Sequence, residues 1–490
     1  MTKKPTPFLP SELWDDRFFN GSWIRSTLPA SLVIEPATGE SLGKIGMAGA
    51  ASIADSSEIA RATQPDWIAL PYEARAAVLR NAAQIAEGHF AEIVEWIIRE
   101  SGSTRAKAAF ETNLTIKALH EACGLPSRST GEVLPSTPGR LSIARRRPLG
   151  VIGVISPFNF PLYLAMRAVA PALALGNSVV LKPDPRTAVC GGFVIARIFE
   201  MAGLPRGLLH VLPGAAEAGA ALVADPNVAM IQFTGSTGAG RKVGEAASRN
   251  LKKVSLELGG KNSLIVLDDA DLDIAVANAA WGAYLHQGQI CMSAGRLLVH
   301  RGIYGPFVER LAAKARSLTV GNPALDEVAL GPLINEQQRD HVCHVIRAAQ
   351  RDGAQLVVGG DYEGLFFQPT VLIDVLPTNL AFHEEIFGPV AIVVPFDSDA
   401  DAVRLANDTE YGLSAAIISK DIGRALRLGE QLRTGLLHIN DQTVNDDVIN
   451  PFGGVGASGN GTSIGGAANG EEFTQWQWVT LKGEAPAYPL

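Results

Sequence analysis

The run VIGVISPFNFPLYLAMRAVAPALALGNSVVLKP, residues 151–183, sets two short β-rich runs, VIGVISPF and SVVLKP, on either side of a segment long enough for a crossover helix. Strand, helix and strand in that order predict two parallel neighbours, because a parallel pair must be joined by a crossover of a dozen residues or more. Downstream, LLHVLPG, VAMIQFTG and KKVSLELGG read as further strands, and AVCGGFVIARIFEMAG and STGAGRKVGEAASRN as further helices. The alternation predicts a doubly wound parallel sheet that binds its ligand beyond the carboxyl ends of its strands. Before about residue 150 the pattern is one of amphipathic helices. After Cys291 a second series begins, with strands at RLLVH, AQLVVGG, VAIVVPF, SAAIISK and LLHIN and helices such as IGRALRLGEQLRTG. The simplest reading is an α/β chain of two such domains with a cleft between them.

Two segments fit neither series. Residues 125–147 look like an extended hairpin with a Pro-Gly turn, and EEFTQWQWVTLKGE, residues 471–484, has the composition of a strand. A lone strand leaves backbone groups unpaired, so the two are expected to pair with each other or with another subunit. The chain has 490 residues, more than one hydrophobic core supports, and 47% of them are hydrophobic. Its four cysteines, at 123, 190, 291 and 343, are far apart and have no histidines at zinc-ligand spacing, which argues against a disulfide framework and against a metal site and fits a reducing cytoplasm. No run approaches membrane-spanning length and the N-terminus has no apolar export region, so no membrane role is expected. With a net charge of −8 and one short basic run, Arg145 to Arg147, a nucleic-acid partner is not expected either. A small molecule is the expected partner.

Several residues carry candidate chemistry. Cys291 in LHQGQICMSAGR follows a polar, glycine-containing turn that can bring backbone N–H groups near a thiolate, although a buried cysteine also serves as a small apolar residue. In MIQFTGSTGAGRKVG a strand turns through Gly235 and Ser236 into a helix start, which suits an anion, or serves packing alone. Lys182 ends a strand ahead of two prolines and reads as a ligand for the same anion or as a solvated lysine. Glu257 ends another strand beside a Gly-Gly pair; it can face a cleft as a general base or pair with Lys261 on the surface. Asn159, set between two phenylalanines and two prolines, must hydrogen-bond something, either a turn or a developing oxyanion.

Seven pieces, PFNFP, LKP, FTGSTGAG, LELGGKN, GQICMSAGR, EEIFGPV and PFGGVGASG, lie in order over residues 157–459. Together they resemble the NAD(P)-dependent aldehyde dehydrogenase superfamily. LYLAMRAVAPALALGN, LGPLINE, LHINDQ and EEFTQWQW narrow the resemblance to the bacterial benzaldehyde dehydrogenases. The resemblance implies a dinucleotide-binding domain (1–124 and 148–256), a catalytic domain (257–470) and an oligomerisation β-arm (125–147 and 471–490) of a homodimer or homotetramer. It implies Cys291 as nucleophile, Glu257 as general base and Asn159 as oxyanion donor. For the cofactor it implies Ile155, Ser156, Pro157, Phe158, Lys182, Gly219, Phe233, Gly235, Ser236, Leu258, Glu385 and Phe387.

At one position the family pattern fails. Many NAD-preferring members carry a glutamate three residues after the cofactor lysine, where it binds the ribose and repels a 2′-phosphate; here that position is Pro185. NAD is therefore expected to be preferred and NADP accepted, with Asp184 as a partial substitute. Phe160, Leu285 and Phe452 stand where the family lines its substrate tunnel, and an apolar wall suits an aromatic ring. Arg167 reads either as a partner for a polar ring substituent or as one half of a salt bridge, and His286 as tunnel lining or packing. The expected reaction is oxidation of an aromatic aldehyde to its acid, with a vanillin-type or broad-specificity enzyme as the alternative. A coenzyme A-acylating dehydrogenase is disfavoured by a base at Glu257. A silent structural protein has no physical need for Cys291, Glu257 and Asn159 together.

Overall fold

The computed structural model describes residues 7–489. Two seven-stranded sheets organise the chain. In the first, the strands run in the order Lys253–Glu257, Val228–Thr234, Val151–Ile155, Ser178–Lys182, Leu209–Val211, Arg17–Phe19 and Trp23–Arg25. The first five are parallel. All five match runs read from the sequence. The last two strands are antiparallel additions at one edge. The chain leaves Val151–Ile155 toward one side of the sheet and later returns on its other side at Val228–Thr234, so the order reverses between these two strands. At such a reversal the flanking crossovers diverge and leave a crevice at the carboxyl ends.

The core explains why these runs form strands. Val151–Ile155 and Ser178–Lys182 are buried along their whole length, as expected of a sheet covered on both faces. The helix Pro161–Ala174 lies on one face and is buried at nearly every position, which LYLAMRAVAPALALG, apolar on all sides except for Arg167, requires. Three N-terminal helices, Tyr72–Gly88, Phe90–Ser101 and Arg105–Gly124, join the same core, whereas Ala50–Ala69 packs Ile53 and Ala60 in a second cluster with Val180, Leu222 and Ile231 and reaches the first through Trp67.

The second sheet runs Gln355–Val358, Thr370–Ile373, Val390–Phe396, Arg296–His300, Ser263–Val266, Ser414–Ile418 and Leu436–Ile439. It is parallel except for the edge strand Gln355–Val358, which pairs antiparallel with Thr370–Ile373. The strands expected from the sequence do not include two of these, Ser263–Val266 and Thr370–Ile373; each is four residues long, and no helical segment separates it from the strand before it. Residues 125–147 and 471–484 do pair: Thr474–Lys482 runs antiparallel to Arg140–Pro148 from Thr474 opposite Pro148 to Lys482 opposite Arg140, with Gly131–Val133 on the other side. Between the second sheet and this arm the chain revisits the first core, where Ile464 and Phe473 are buried.

Candidate active site

Four neighbouring parallel strands end in register at the crevice. Lys182 stands opposite Ile155, Ile155 opposite Phe233, and Thr234 opposite Glu257. The cleft beyond them has a volume of about 710 Å³. Ile155, Ser156, Pro157, Phe158, Asn159 and Lys182 form one wall, and Phe233, Gly235, Ser236 and Leu258 another. Glu385 and Phe387 reach in from the second half of the chain, and Cys291 lines the cleft as well. Phe158 meets Phe387 edge-on at 5.8 Å, and the Arg186 guanidinium covers the Phe158 ring at 4.2 Å. Gly219 is not in the wall: it sits on the helix Ala216–Ala224 behind the Lys182 stem and Ile155.

The Cys291 loop is held in an unusual conformation. His286, Gln287 and Gly288 are successive left-handed residues, with φ of 48°, 55° and 67°. For the first two this costs about 1–2 kcal/mol each. The surroundings offset it: Gln287 Nε2 donates to the carbonyls of Gly102 (3.0 Å) and Pro332 (2.7 Å), and Gln289 Oε1 accepts from Ile334 N–H at 3.0 Å. A Cβ at Gly288 would stand 2.1 Å from the Gly388 carbonyl. Further along, Asn262 Nδ2 donates to the carbonyls of Cys291 and Ser293, both at 2.8 Å. The Gly-Gly pair after Glu257 allows two close approaches: a Cβ at Gly259 would lie 2.3 Å from Glu385 Oε2 and push that carboxylate aside, and one at Gly260 would lie 2.4 Å from the Cys291 carbonyl.

Asn159 spans both sides of the site. Its Nδ2 donates to the Gln289 carbonyl at 2.9 Å, which leaves its second N–H for another acceptor. Its own carbonyl accepts from Lys107 Nζ at 2.7 Å. Lys107 and Glu111 form a fully buried ion pair at 2.5 Å. Glu111 Oε1 in turn accepts from the N–H groups of Leu162 and Tyr163, at the start of the helix that follows Asn159.

Burial dominates the titration of the site. It pushes the Cys291 thiol up to about 12, reinforced by the charges of Glu385, Glu257 and Asp446, while the Met292 N–H pulls the other way. Glu257 is buried with both carboxylate oxygens unpartnered among the described residues, and burial holds it well above the usual carboxylate range against the pull of Arg167. It is not paired with Lys261, whose Nζ is also without a partner among the described residues. Glu385 is pushed up to about 7 by burial even though Gly260 N–H donates to it at 3.0 Å. Lys182 is buried too, its amine lowered by that burial and donating to the Pro183 carbonyl at 3.3 Å. Asp184 is clamped by Arg186, at 2.9 and 2.7 Å.

On the far side of Cys291 the lining is apolar. Phe160, Ile290, Met292, Leu413, Val444 and Phe452 form a buried cluster against which Leu164, Leu285 and Cys291 pack. His286 meets Phe160 edge-on at 6.1 Å and is wholly buried, which lowers its ability to take a proton. Arg167 is one half of a salt bridge, to Asp446.

The aldehyde dehydrogenase family model matches residues 23–479. A vanillin dehydrogenase of Amycolatopsis sp. is 54% identical over 484 residues, covering 99% of this chain and all of that protein. An NAD-dependent benzaldehyde dehydrogenase of Pseudomonas putida is 48% identical, with 98% of each chain covered. Among solved structures, an NADP-dependent enzyme of Escherichia coli superposes with a TM-score of 0.93 at 34% identity, over 96% of this chain and 99% of that one. The chain belongs to the aldehyde dehydrogenase family. Cys291, Asn159 and the strand-end residues Ile155, Lys182 and Phe233 line one cleft, whereas Glu257 is buried and is not among its lining residues; no group of metal-ligating side chains occurs among the described residues. Sequence reasoning missed Lys107, Glu111, Asn262 and Asp446. The first two are spaced i, i+4 in AKAAFETN, a spacing that exposed helical ion pairs share, so nothing local marks them as buried.

Proposed function

We propose that this enzyme oxidises aromatic aldehydes to carboxylic acids, with NAD preferred and NADP accepted. One observation carries the reading: the Cys291 thiol separates a dinucleotide-sized cleft from a buried apolar cluster that presents Phe160 and Phe452. The names of the two curated relatives, vanillin and benzaldehyde dehydrogenase, agree with it. The cleft residues fit the cofactor. Ser156 Oγ is buried in its wall without a partner among the described residues, the buried Lys182 amine stands at a strand end, and the start of the helix Thr237–Arg249 offers N–H groups to phosphates. Glu385 and Phe387 would hold the nicotinamide side. The bound dinucleotide supplies the hydride acceptor. NADP is accepted because Pro185 carries no carboxylate to repel a 2′-phosphate, and the Asp184 charge is taken up by Arg186.

In the reaction the Cys291 thiol gives up its proton to water and the resulting thiolate adds to the aldehyde carbon, since a carbonyl carbon must gain electron density before hydride can leave it. The free N–H of Asn159 and the backbone N–H of Cys291 would hold the oxyanion, each donor being worth about 3–4 kcal/mol. Loss of hydride leaves a thioester on Cys291. Glu257 then takes a proton from the attacking water, which releases the acid and the thiol. Burial raises its proton affinity, which makes its carboxylate a stronger base than an exposed one.

Residues 1–124 and 148–256 would bind the dinucleotide and residues 257–470 serve catalysis. The arm exposes Val133, Leu141, Trp476, Trp478 and Leu481, which suits a homo-oligomer interface. All four cysteines are free, which fits a reducing cytoplasm, and no described helix is long and apolar enough to cross a membrane. The test is to follow reduced cofactor with benzaldehyde, with and without coenzyme A. Turnover without coenzyme A that vanishes in Cys291→Ala is expected; a requirement for coenzyme A, or turnover by the variant, would overturn the reading.

A further inference from the structure

Beside the apolar cluster lies a buried polar group that none of these steps uses. Tyr163 and Arg167 are one turn apart on the helix Pro161–Ala174, so both project from one face. Both meet Asp446. Tyr163 Oη donates to Asp446 Oδ2 at 3.0 Å, Arg167 Nη1 pairs with the same oxygen, and Arg167 Nη2 donates to the Ile464 carbonyl at 3.0 Å. The Arg167 and Asp446 side chains are only 3% and 8% exposed. A pair so placed pays a heavy desolvation penalty, and apolar residues would often join helix to loop at less cost. A charge kept there invites a role other than cohesion.

Its position suggests the role. The Arg167 guanidinium lies over the Phe452 ring, 4.5 Å from its centroid, and Phe452 packs in the cluster that includes Phe160 and Cys291. Leu164 packs against both that cluster and Tyr163. The charge of Asp446 is felt at Cys291 and at Glu257. The polar group therefore packs against the residues that would surround a ring bound at Cys291. Both bonds to Asp446 end on one oxygen, and among the described residues Oδ1 accepts none. A carboxylate has about four lone-pair sites, and Tyr163 Oη, having donated its hydrogen, can still accept.

We propose that Asp446 and Tyr163, charge-balanced by Arg167, receive a hydroxyl carried on the substrate ring at a position remote from the aldehyde. This rests on the aromatic-aldehyde reading and deepens it: the preferred class is hydroxylated benzaldehydes. The phenolic O–H donates to Asp446 Oδ1. An unsubstituted ring leaves that acceptor desolvated with nothing gained, and a site built to bond a hydroxyl discriminates strongly against the analogue that lacks it.

The test compares kcat/KM for benzaldehyde, 3-hydroxybenzaldehyde, 4-hydroxybenzaldehyde and 4-methoxybenzaldehyde in the wild type, Tyr163→Phe and Asp446→Asn. The quantity read is the ratio of each hydroxylated substrate to benzaldehyde within one preparation, so loss of folded enzyme cancels. The wild type is expected to favour one hydroxylated ring by about tenfold or more over both benzaldehyde and the methoxy analogue, which has the bulk without the donor. Both variants should lower that ratio by several-fold, mainly through KM. If Asp446→Asn does not fold, because Arg167 loses its charged partner, Tyr163→Phe keeps that pair and decides alone. A wild-type ratio near one, or a ratio unmoved in the variants, overturns the inference and leaves the aromatic reading standing. Preference for aliphatic aldehydes over every aromatic one would overturn both.

Discussion

The resting thiol should be a poor nucleophile in the cofactor-free enzyme, and the size of the effect follows from its surroundings. Burial beside Glu385, Glu257 and Asp446 pushes Cys291 up to about 12, against 9.0 for a free side chain. Three units correspond to about 4 kcal/mol. At pH 8 about one free thiol in ten is ionised, but only about one Cys291 in ten thousand. The rarer thiolate is more basic and hence intrinsically more reactive; with a Brønsted slope near 0.4–0.5 it recovers about twentyfold. Alkylation by iodoacetamide at pH 8 should therefore run roughly thirty to sixty times slower at Cys291 than at a small-molecule thiol. It should also rise about tenfold per pH unit from pH 7 to 9.5 without levelling. The assay is pseudo-first-order alkylation with peptide mapping, which separates Cys291 from Cys123, Cys190 and Cys343. A profile that levels at or below pH 9, or a rate equal to the free thiol's, would refute the claim that burial sets this group's protonation.

Glu257→Gln should leave the first hydride transfer and block deacylation, so rapid mixing should show one burst of reduced cofactor per site and then very slow turnover; loss of the burst would place Glu257 in thiol activation instead. Glu385 is pushed up to about 7, so its carboxylate form, the one able to accept from ribose hydroxyls, is gained as pH rises through 7. KM for NAD should fall about tenfold from pH 6 to well above 7. The dependence should flatten in Glu385→Gln, and an unchanged profile in that variant would assign it to another group. Lys107→Met strands Glu111 as an unpaired buried charge and should destabilise the protein by about 3–5 kcal/mol. The double variant with Glu111→Gln should regain part of that loss in urea unfolding, and a double variant no more stable than the single one would show that the cost lies elsewhere. Deleting residues 474–490 should reduce the mass measured by light scattering, whereas an unchanged mass would acquit the arm of assembly.

The sequence reveals the first sheet because its five parallel strands are short β-rich runs ending at glycine or proline, and four of them are followed by a helix-length segment. It conceals Ser263–Val266, which follows the Gly-Gly turn directly and looks like its continuation. The strand-end residues Lys182, Phe233 and Glu257 are legible for a topological reason: a parallel sheet gathers its carboxyl ends on one side, so residues that end successive strands must come together. Asn159 and Cys291 were legible by their neighbours. What supports them was not. Lys107 and Glu111 lie about 50 residues before Asn159, and Asp446 lies in a loop far from Arg167; nothing local in either segment shows that it will be buried against the site. Asn262 belongs with these, since an asparagine after a Gly-Gly turn has no local mark of bonding to the Cys291 carbonyl.

The most direct test of the account is the aldehyde the site prefers. A benzaldehyde ring has about five more carbons to bury against Phe160, Leu285 and Phe452 than the methyl of acetaldehyde, at about 0.8 kcal/mol each. A part of that energy expressed in the transition state gives roughly a hundredfold advantage in kcat/KM. Measured at one pH and saturating NAD, benzaldehyde or a hydroxylated benzaldehyde is expected to exceed acetaldehyde by that order and to exceed hexanal as well. Acetaldehyde or hexanal ahead of every aromatic aldehyde would contradict the account.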